Sequence, residues 1–111
     1  PAQCAALRKH FRVFKAISAH DDATVYRGAV DAMIVDGPDP GSGYRWDPAG
    51  WNRPLHSPVI VAGGLCPSNV ADVIKQLRPD GVDVASGVEK DGQPSSTLIA
   101  SFVREARQVG I

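Results

Sequence analysis

The feature that most constrains this chain is a set of short apolar runs, each cut off by a polar residue or a glycine. Ala32-Met33-Ile34-Val35 stops at Asp36, Pro58-Val59-Ile60-Val61-Ala62 stops at Gly63-Gly64, and Gly81-Val82-Asp83-Val84-Ala85 stops at Ser86-Gly87. Apolar positions in succession over so short a length read as strands buried on both faces, the pattern of a parallel sheet. Phe11-Arg12-Val13-Phe14-Lys15-Ala16-Ile17 alternates as a further strand does. Helical segments fall between and around these runs. Residues 2–9 read as the tail of a helix, and Asp21 and Asp22 place negative charge at the start of a short one over Ala23 to Ala29. Behind Pro67, Val70, Val73, Ile74 and Leu77 recur at i, i+3, i+4 and i+7, and that helix should stop before Pro79. After a polar loop, Ser95 or Ser96 caps a last helix striped by Leu98, Ile99, Phe102, Val103 and Ala106.

Strand and helix thus alternate four times, which requires parallel strands joined by crossovers and gathers functional groups on the rim where strands end. Asp36, Gly63-Gly64 and Ser86-Gly87 all fall on that rim. At 111 residues the chain can bury one core but is short of the roughly 200 to 250 residues of a closed (β/α)8 barrel. Between Gly37 and Pro54 stand four prolines, four glycines, Trp46 and Trp51, so a long loop is expected there, of the kind that more often carries function than not.

The 12 Lys and Arg offset the 12 Asp and Glu, leaving no net field to gather nucleic acid or an anionic membrane. Any anion must be held locally. No apolar run approaches the roughly 18 residues needed to cross a bilayer, and no signal-peptide pattern opens the chain, so a cytoplasmic address is expected. Cys4 and Cys66 lack a CxxC spacing and read as reduced thiols, and His10, His20 and His56 lack metal-ligand spacing. Cys66 and His20 are read as structural, His10 and His56 as solvated loop residues. Trp46 and Trp51 could stack on an aromatic substrate or cover an exposed edge.

Consecutive glycines between a strand and a helix let backbone N–H groups approach a phosphate, while the helix start adds partial positive charge. For Gly63-Gly64 alone, a tight turn requiring positive φ is the better reading. Ser86-Gly87 after the next strand reverses that preference, because two adjacent strand ends can grip one phosphate. Gly41-Ser42-Gly43 could close over the same ligand or simply be flexible. Asp36, straight after an apolar strand, is placed where partial desolvation would let it act as an acid; a turn cap is the equal alternative. Asp83 interrupts an apolar strand and should face a barrel interior or a cation, with Lys15 as a candidate partner.

Taken together, Pro58 to Leu65, Pro67, Asn69-Val70, Gly81 to Val84 and Ser86-Gly87-Val88-Glu89 resemble the last two β/α units of the phosphoribosylanthranilate isomerase family. Val30 to Asp36, Gly41-Ser42-Gly43 and Trp46-Asp47 are similar to its sixth strand and glycine loop, and Lys15-Ala16-Ile17 to its fifth strand. The resemblance implies an α/β fold, the C-terminal half of a (β/α)8 TIM barrel with about four parallel strands, spanning residues 1–111 as one partial domain. It implies the isomerisation of N-(5-phosphoribosyl)anthranilate to 1-(2-carboxyphenylamino)-1-deoxyribulose 5-phosphate, an Amadori rearrangement of tryptophan biosynthesis. In this frame Asp36 is the general acid. Gly41, Ser42, Gly43, Gly63, Gly64, Ser86 and Gly87 hold the phosphate, and Asp83 contacts the substrate. No metal or organic cofactor is implied.

The family's general base is a cysteine at the end of its first strand, a part this chain does not match; Cys4, in a helix, does not replace it. Gly92-Gln93-Pro94 also departs from the family's Gly-x-Lys-Asp segment. Pro1 in place of an initiator Met suggests a fragment, and little activity is expected from the chain alone. A four-strand half barrel would leave edges and an inner face uncovered, so a homodimer or a complementing N-terminal half is the expected partner. The competing reading is a non-catalytic half-barrel module for phosphate binding or assembly.

Overall fold

A computed structural model describes residues 1–18, 21–37 and 56–110. The expected Gly41-Ser42-Gly43 contact, His20, Trp46 and Trp51 lie outside the described residues. Four strands form one parallel sheet in the order β1-β2-β3-β4: Phe14–Ser18, Ala32–Asp36, Val59–Ala62 and Gly81–Val82. Helices α1 (Ala2–Arg8), α2 (Val70–Leu77) and α3 (Ser96–Gln108) accompany it, with a 3-10 helix at Ala23–Tyr26. The expected α/β architecture is present.

Register divides the sheet into two unlike faces. Met33, in line with Val59, and Val35, in line with Val61, are completely buried together with Val70 of α2. Val73, Ile74 and Leu77 bury the rest of the α2 face predicted from the spacing, and Phe102 and Ala106 of α3 close the same core. At roughly 1.5 to 3 kcal/mol for each fully buried aliphatic side chain, this layer is the main source of cohesion. On the other face Ala16, Ile34, Ile60 and Gly81 are aligned, and both isoleucines remain half-exposed. Phe14, in line with Ala32, is 55% exposed.

Several boundaries differ from expectation for identifiable reasons. The first strand begins at Phe14 and not Phe11, because Val13 is already engaged: its carbonyl accepts from the Asp31 N–H at 2.7 Å and its N–H donates to the Asp31 carboxylate at 2.7 Å. Arg8 Nε in turn donates to the Asp31 carboxylate at 3.1 Å, tying α1 to the sheet. The segment after Asp22 makes one 3-10 turn and not a helix to Ala29. Asp22 accepts from the Thr24 N–H at 3.0 Å as its cap, but Gly28, at φ 76°, turns the chain away.

The fourth strand pairs only over Gly81–Val82, although five residues were expected to be extended. Its partner β3 ends at Ala62, where Gly63 at φ 85° leaves the sheet, so Val84 and Ala85 have no ladder to join. After a 3-10 turn at Ser86–Val88, the expected polar loop is a hairpin of β5 (Glu89–Lys90) and β6 (Gln93–Pro94). Asp91 at φ 54° and Gly92 at φ 76° form its two-residue turn, the left-handed pair that such hairpins favour. Ser95 does cap α3, accepting from the Leu98 N–H at 3.3 Å. Within the predicted stripe of α3, Ile99 and Val103 are exposed, while Leu98, Phe102 and Ala106, spaced by four, face inward.

Candidate functional site

At the C-terminal ends of the strands a cavity of about 200 Å³ is lined by Asp36, the run from Ala62 to Leu65, and the run from Asp83 to Gly87. The six candidate residues that fall within the described chain, Asp36, Gly63, Gly64, Asp83, Ser86 and Gly87, all border it. They converge because strand ends lying side by side in a parallel sheet deliver their following loops to one rim. Ser18, Asp36 and Ala62 form one row across the sheet, and the Asp83 N–H extends that row by donating to the Val61 carbonyl at 2.9 Å.

The loops are fitted to each other by backbone contact. The Gly37 N–H donates to the Ala62 carbonyl at 2.8 Å, which brings the end of β2 against the turn after β3. Gly63 has a φ of 85°, and a Cβ there would stand 2.8 Å from the Gly37 nitrogen, so both conformation and space demand glycine. Gly64 follows at φ 69°. Gly87 has an ordinary φ, yet a Cβ would collide with the Leu65 carbonyl; the constraint is close approach alone. Thus two loops that were predicted to share one ligand are in van der Waals contact.

Asn69 holds the first of these loops, a role that no pattern in the sequence announces. Its Nδ2 donates to the Gly64 carbonyl at 2.7 Å and its Oδ1 accepts from the Cys66 N–H at 2.8 Å. Cys66 itself places Sγ 3.0 Å from the Ser68 hydroxyl, with no histidine in that contact.

Asp83 is corrected in one respect. It is exposed, past the end of β4, and among the described residues no cation pairs with it. Lys15 is not its partner: it lies in register with Met33 on the opposite, helix-bearing face, its Nζ 5.5 Å from the centre of the Tyr26 ring. Asp36 is likewise exposed at the rim. The cavity therefore has two carboxylates and no Lys or Arg among its described lining. Among the described lining, the groups suited to an anion are the backbone N–H groups of the glycine turns. His56, expected to be solvated, is half-buried: Nε2 donates to the Ala23 carbonyl at 2.9 Å, and Nδ1 lies 3.0 Å from the Ser57 hydroxyl.

No helix among the described residues is long and apolar enough to cross a membrane. Within them, too, no group of three or more His, Cys, Asp or Glu side chains is arranged to hold a metal ion.

Comparison with known proteins places this chain in a family. An N-(5'-phosphoribosyl)anthranilate isomerase of Roseiflexus sp. (strain RS-1) is 41% identical over 117 aligned positions, covering 96% of this chain and 55% of that protein. The solved structure of TrpF from Jonesia denitrificans matches with a TM-score of 0.80 and 41% identity, over 96% of this chain and 54% of that one. A phosphoribosylanthranilate isomerase solved in complex with reduced 1-(o-carboxyphenylamino)-1-deoxyribulose 5-phosphate matches with a TM-score of 0.71 and 26% identity, over 97% of this chain and 55% of that one. The chain thus spans about half the length of the relatives it matches. The family model described as N-(5'phosphoribosyl)anthranilate (PRA) isomerase matches residues 2–105, and the chain belongs to that family.

Proposed function

We propose that this chain supplies the C-terminal half of a phosphoribosylanthranilate isomerase: the general acid and the phosphate grip, but not the general base. The observation that carries this reading is the convergence of Asp36, Gly63, Gly64, Asp83, Ser86 and Gly87 on one cavity in a chain of this family. The substrate phosphate sits against the N–H groups of the Gly63-Gly64 and Ser86-Gly87 turns, with Gly41-Ser42-Gly43 closing over it. Asp36 faces the ribose. It donates its proton to the ring oxygen as the C1–O bond breaks, which leaves a Schiff base between C1 and the anthranilate nitrogen. A base then takes the C2 proton, and the electron pair forms the enolamine, which relaxes to the ketone of 1-(2-carboxyphenylamino)-1-deoxyribulose 5-phosphate. Asp83 contacts the substrate from the end of β4, across β3 from Asp36. The reading is supported by a relative solved with a reduced form of that product.

The half-exposed face bearing Phe14, Ile34 and Ile60 is covered, in this proposal, by a complementing N-terminal half that brings the base. A homodimer would cover the face without supplying a base, and would leave a phosphate-binding or assembly module. The proposed setting is the cytoplasm, in tryptophan biosynthesis. The test is to combine the chain with a folded N-terminal half from a relative and follow conversion of phosphoribosylanthranilate. Activity in the mixture and none in either part is the expected result. A stable complex that binds phosphate but never isomerises substrate would favour the module.

A further inference from the structure

We infer that Asn69 is a positioning residue that sets the shape of the phosphate turn, an inference that rests on the phosphate site proposed above. An asparagine at the residue preceding a helix ordinarily turns its side chain forward to accept from the helix's own first N–H groups. Asn69 precedes α2 but makes no such bond. Both of its polar atoms point back along the chain, Nδ2 to the Gly64 carbonyl and Oδ1 to the Cys66 N–H. The side chain therefore spans the turn like a strut and fixes the peptide planes on either side of Leu65.

Orientation of those planes is what an anion site made of backbone requires. With the Gly64 carbonyl drawn toward Asn69, its dipole is held by a donor and cannot swing toward a phosphate, where it would repel. With the Cys66 N–H committed to Oδ1, the turn cannot slide to offer a different set of donors. Leu65 is buried beneath, and its carbonyl is the group against which Gly87 packs, so the same strut sets the separation between the two gripping loops. Among the described lining residues there is no Lys or Arg, so within that lining the placing of the N–H groups decides how an anion is met.

The experiment titrates the ¹⁵N-labelled chain with inorganic phosphate at constant ionic strength and follows the amide signals of Gly64, Leu65, Ser86 and Gly87. Asn69→Ala removes the strut, while Asn69→Ser keeps a good helix-start residue too short to reach both Gly64 and Cys66. We expect saturable shifts in the unaltered chain and a phosphate Kd raised about tenfold in both variants, the equivalent of one or two lost hydrogen bonds. The serine variant should melt close to the unaltered chain. If Asn69 served only to start α2, the serine variant would bind phosphate as tightly as the unaltered chain, and positioning would be overturned. Should Asn69→Ala fail to fold, Asn69→Ser alone decides. Absence of any shift at the four amides in the unaltered chain would instead remove the phosphate site, and the role of Asn69 with it.

Discussion

The carboxylate of Asp31 accepts a 2.7 Å hydrogen bond from the N–H of Val13, and through it the first strand of the sheet is fastened to the second before their ladder begins. Asp80 does the same for the Val59 N–H at 2.8 Å, between the third strand and the fourth. In both cases the backbone N–H of the aspartate also donates to the carbonyl of the valine it clamps. The bottom of the sheet is thus closed by the same two-bond device twice, while the top is left to glycine turns. That division separates residues whose loss should unfold the chain from residues whose loss should disable the site.

Acid should loosen the first clamp. The Val13 N–H, and after it the Arg8 guanidinium, hold the Asp31 carboxyl below the ordinary carboxylate range. A carboxyl whose folded pKa lies below its unfolded value stabilises the fold above the unfolded pKa, about 4, and loses that contribution as pH falls through the folded value. Asp22, held down by its bonds to Thr24, adds in the same direction. Thermal unfolding followed from pH 7 downward should show the melting temperature dropping below about pH 4. Asp31→Asn, which can still accept from Val13, should melt with a shallower acid dependence; an unchanged slope would place the acid sensitivity elsewhere.

Substitution of glycines should sort by space rather than by position in sequence. Gly87→Ala drives a methyl into the Leu65 carbonyl, a backbone atom that cannot move aside without separating the two loops. Overpacking of this kind typically costs about 1 to 3 kcal/mol. Gly63→Ala adds a left-handed φ to a close contact with Gly37 and should cost at least as much. Gly92→Ala, also left-handed but in open space, should lose only about 1 kcal/mol. Urea unfolding of the three variants gives the ranking. Equal losses at Gly92 and Gly87 would mean that the loop contact relaxes freely.

The exposed side of α3 offers a control for the core. Val61→Ala, at a position with no exposure beneath α2, should cost about 2 to 4 kcal/mol, whereas Val103→Ser, on the outer side of α3, should stay within about 0.5 kcal/mol. Both are read from urea midpoints. A large effect at Val103 would mean that this side of α3 is covered in solution.

What the sequence disclosed was decided by how local each signal is. The apolar runs ending at Asp36 and Gly63 predicted two strands and the rim they share, because burial on both faces leaves no polar alternation to confuse the pattern. Gly63-Gly64 and Ser86-Gly87 pointed to the cavity lining because each directly follows an apolar run, and strand ends side by side deliver their turns to one rim. The shortened fourth strand was not legible, since Val84 and Ala85 are good strand residues and only the departure of β3 at Gly63 denies them a partner. The role of His56 depends on the Ala23 carbonyl, which the fold brings to it from far along the chain. The Asp91-Gly92 hairpin turn is hidden in a polar stretch, because flanks of two residues each carry no alternation. Asn69 gave no warning, as asparagine before a helix has a more ordinary use.

Asp36→Asn separates the acid from the grip. The change keeps the shape of a side chain exposed on the rim, removes the proton it would donate to the ribose oxygen, and removes one of two negative charges from the cavity. In the chain complemented by an N-terminal half, kcat should fall by about 10² to 10⁴, the usual contribution of a general acid. KM should not rise, because the phosphate contacts proposed above are on the glycine turns and a dianion gains from the lost carboxylate charge. Asp83→Asn removes the same charge from the opposite strand end without removing the acid, so its main effect should be on KM. Steady-state kinetics of the two variants, measured side by side, distinguish the roles. A kcat that survives in Asp36→Asn and collapses in Asp83→Asn would exchange them, assigning proton donation to the carboxylate that follows β4.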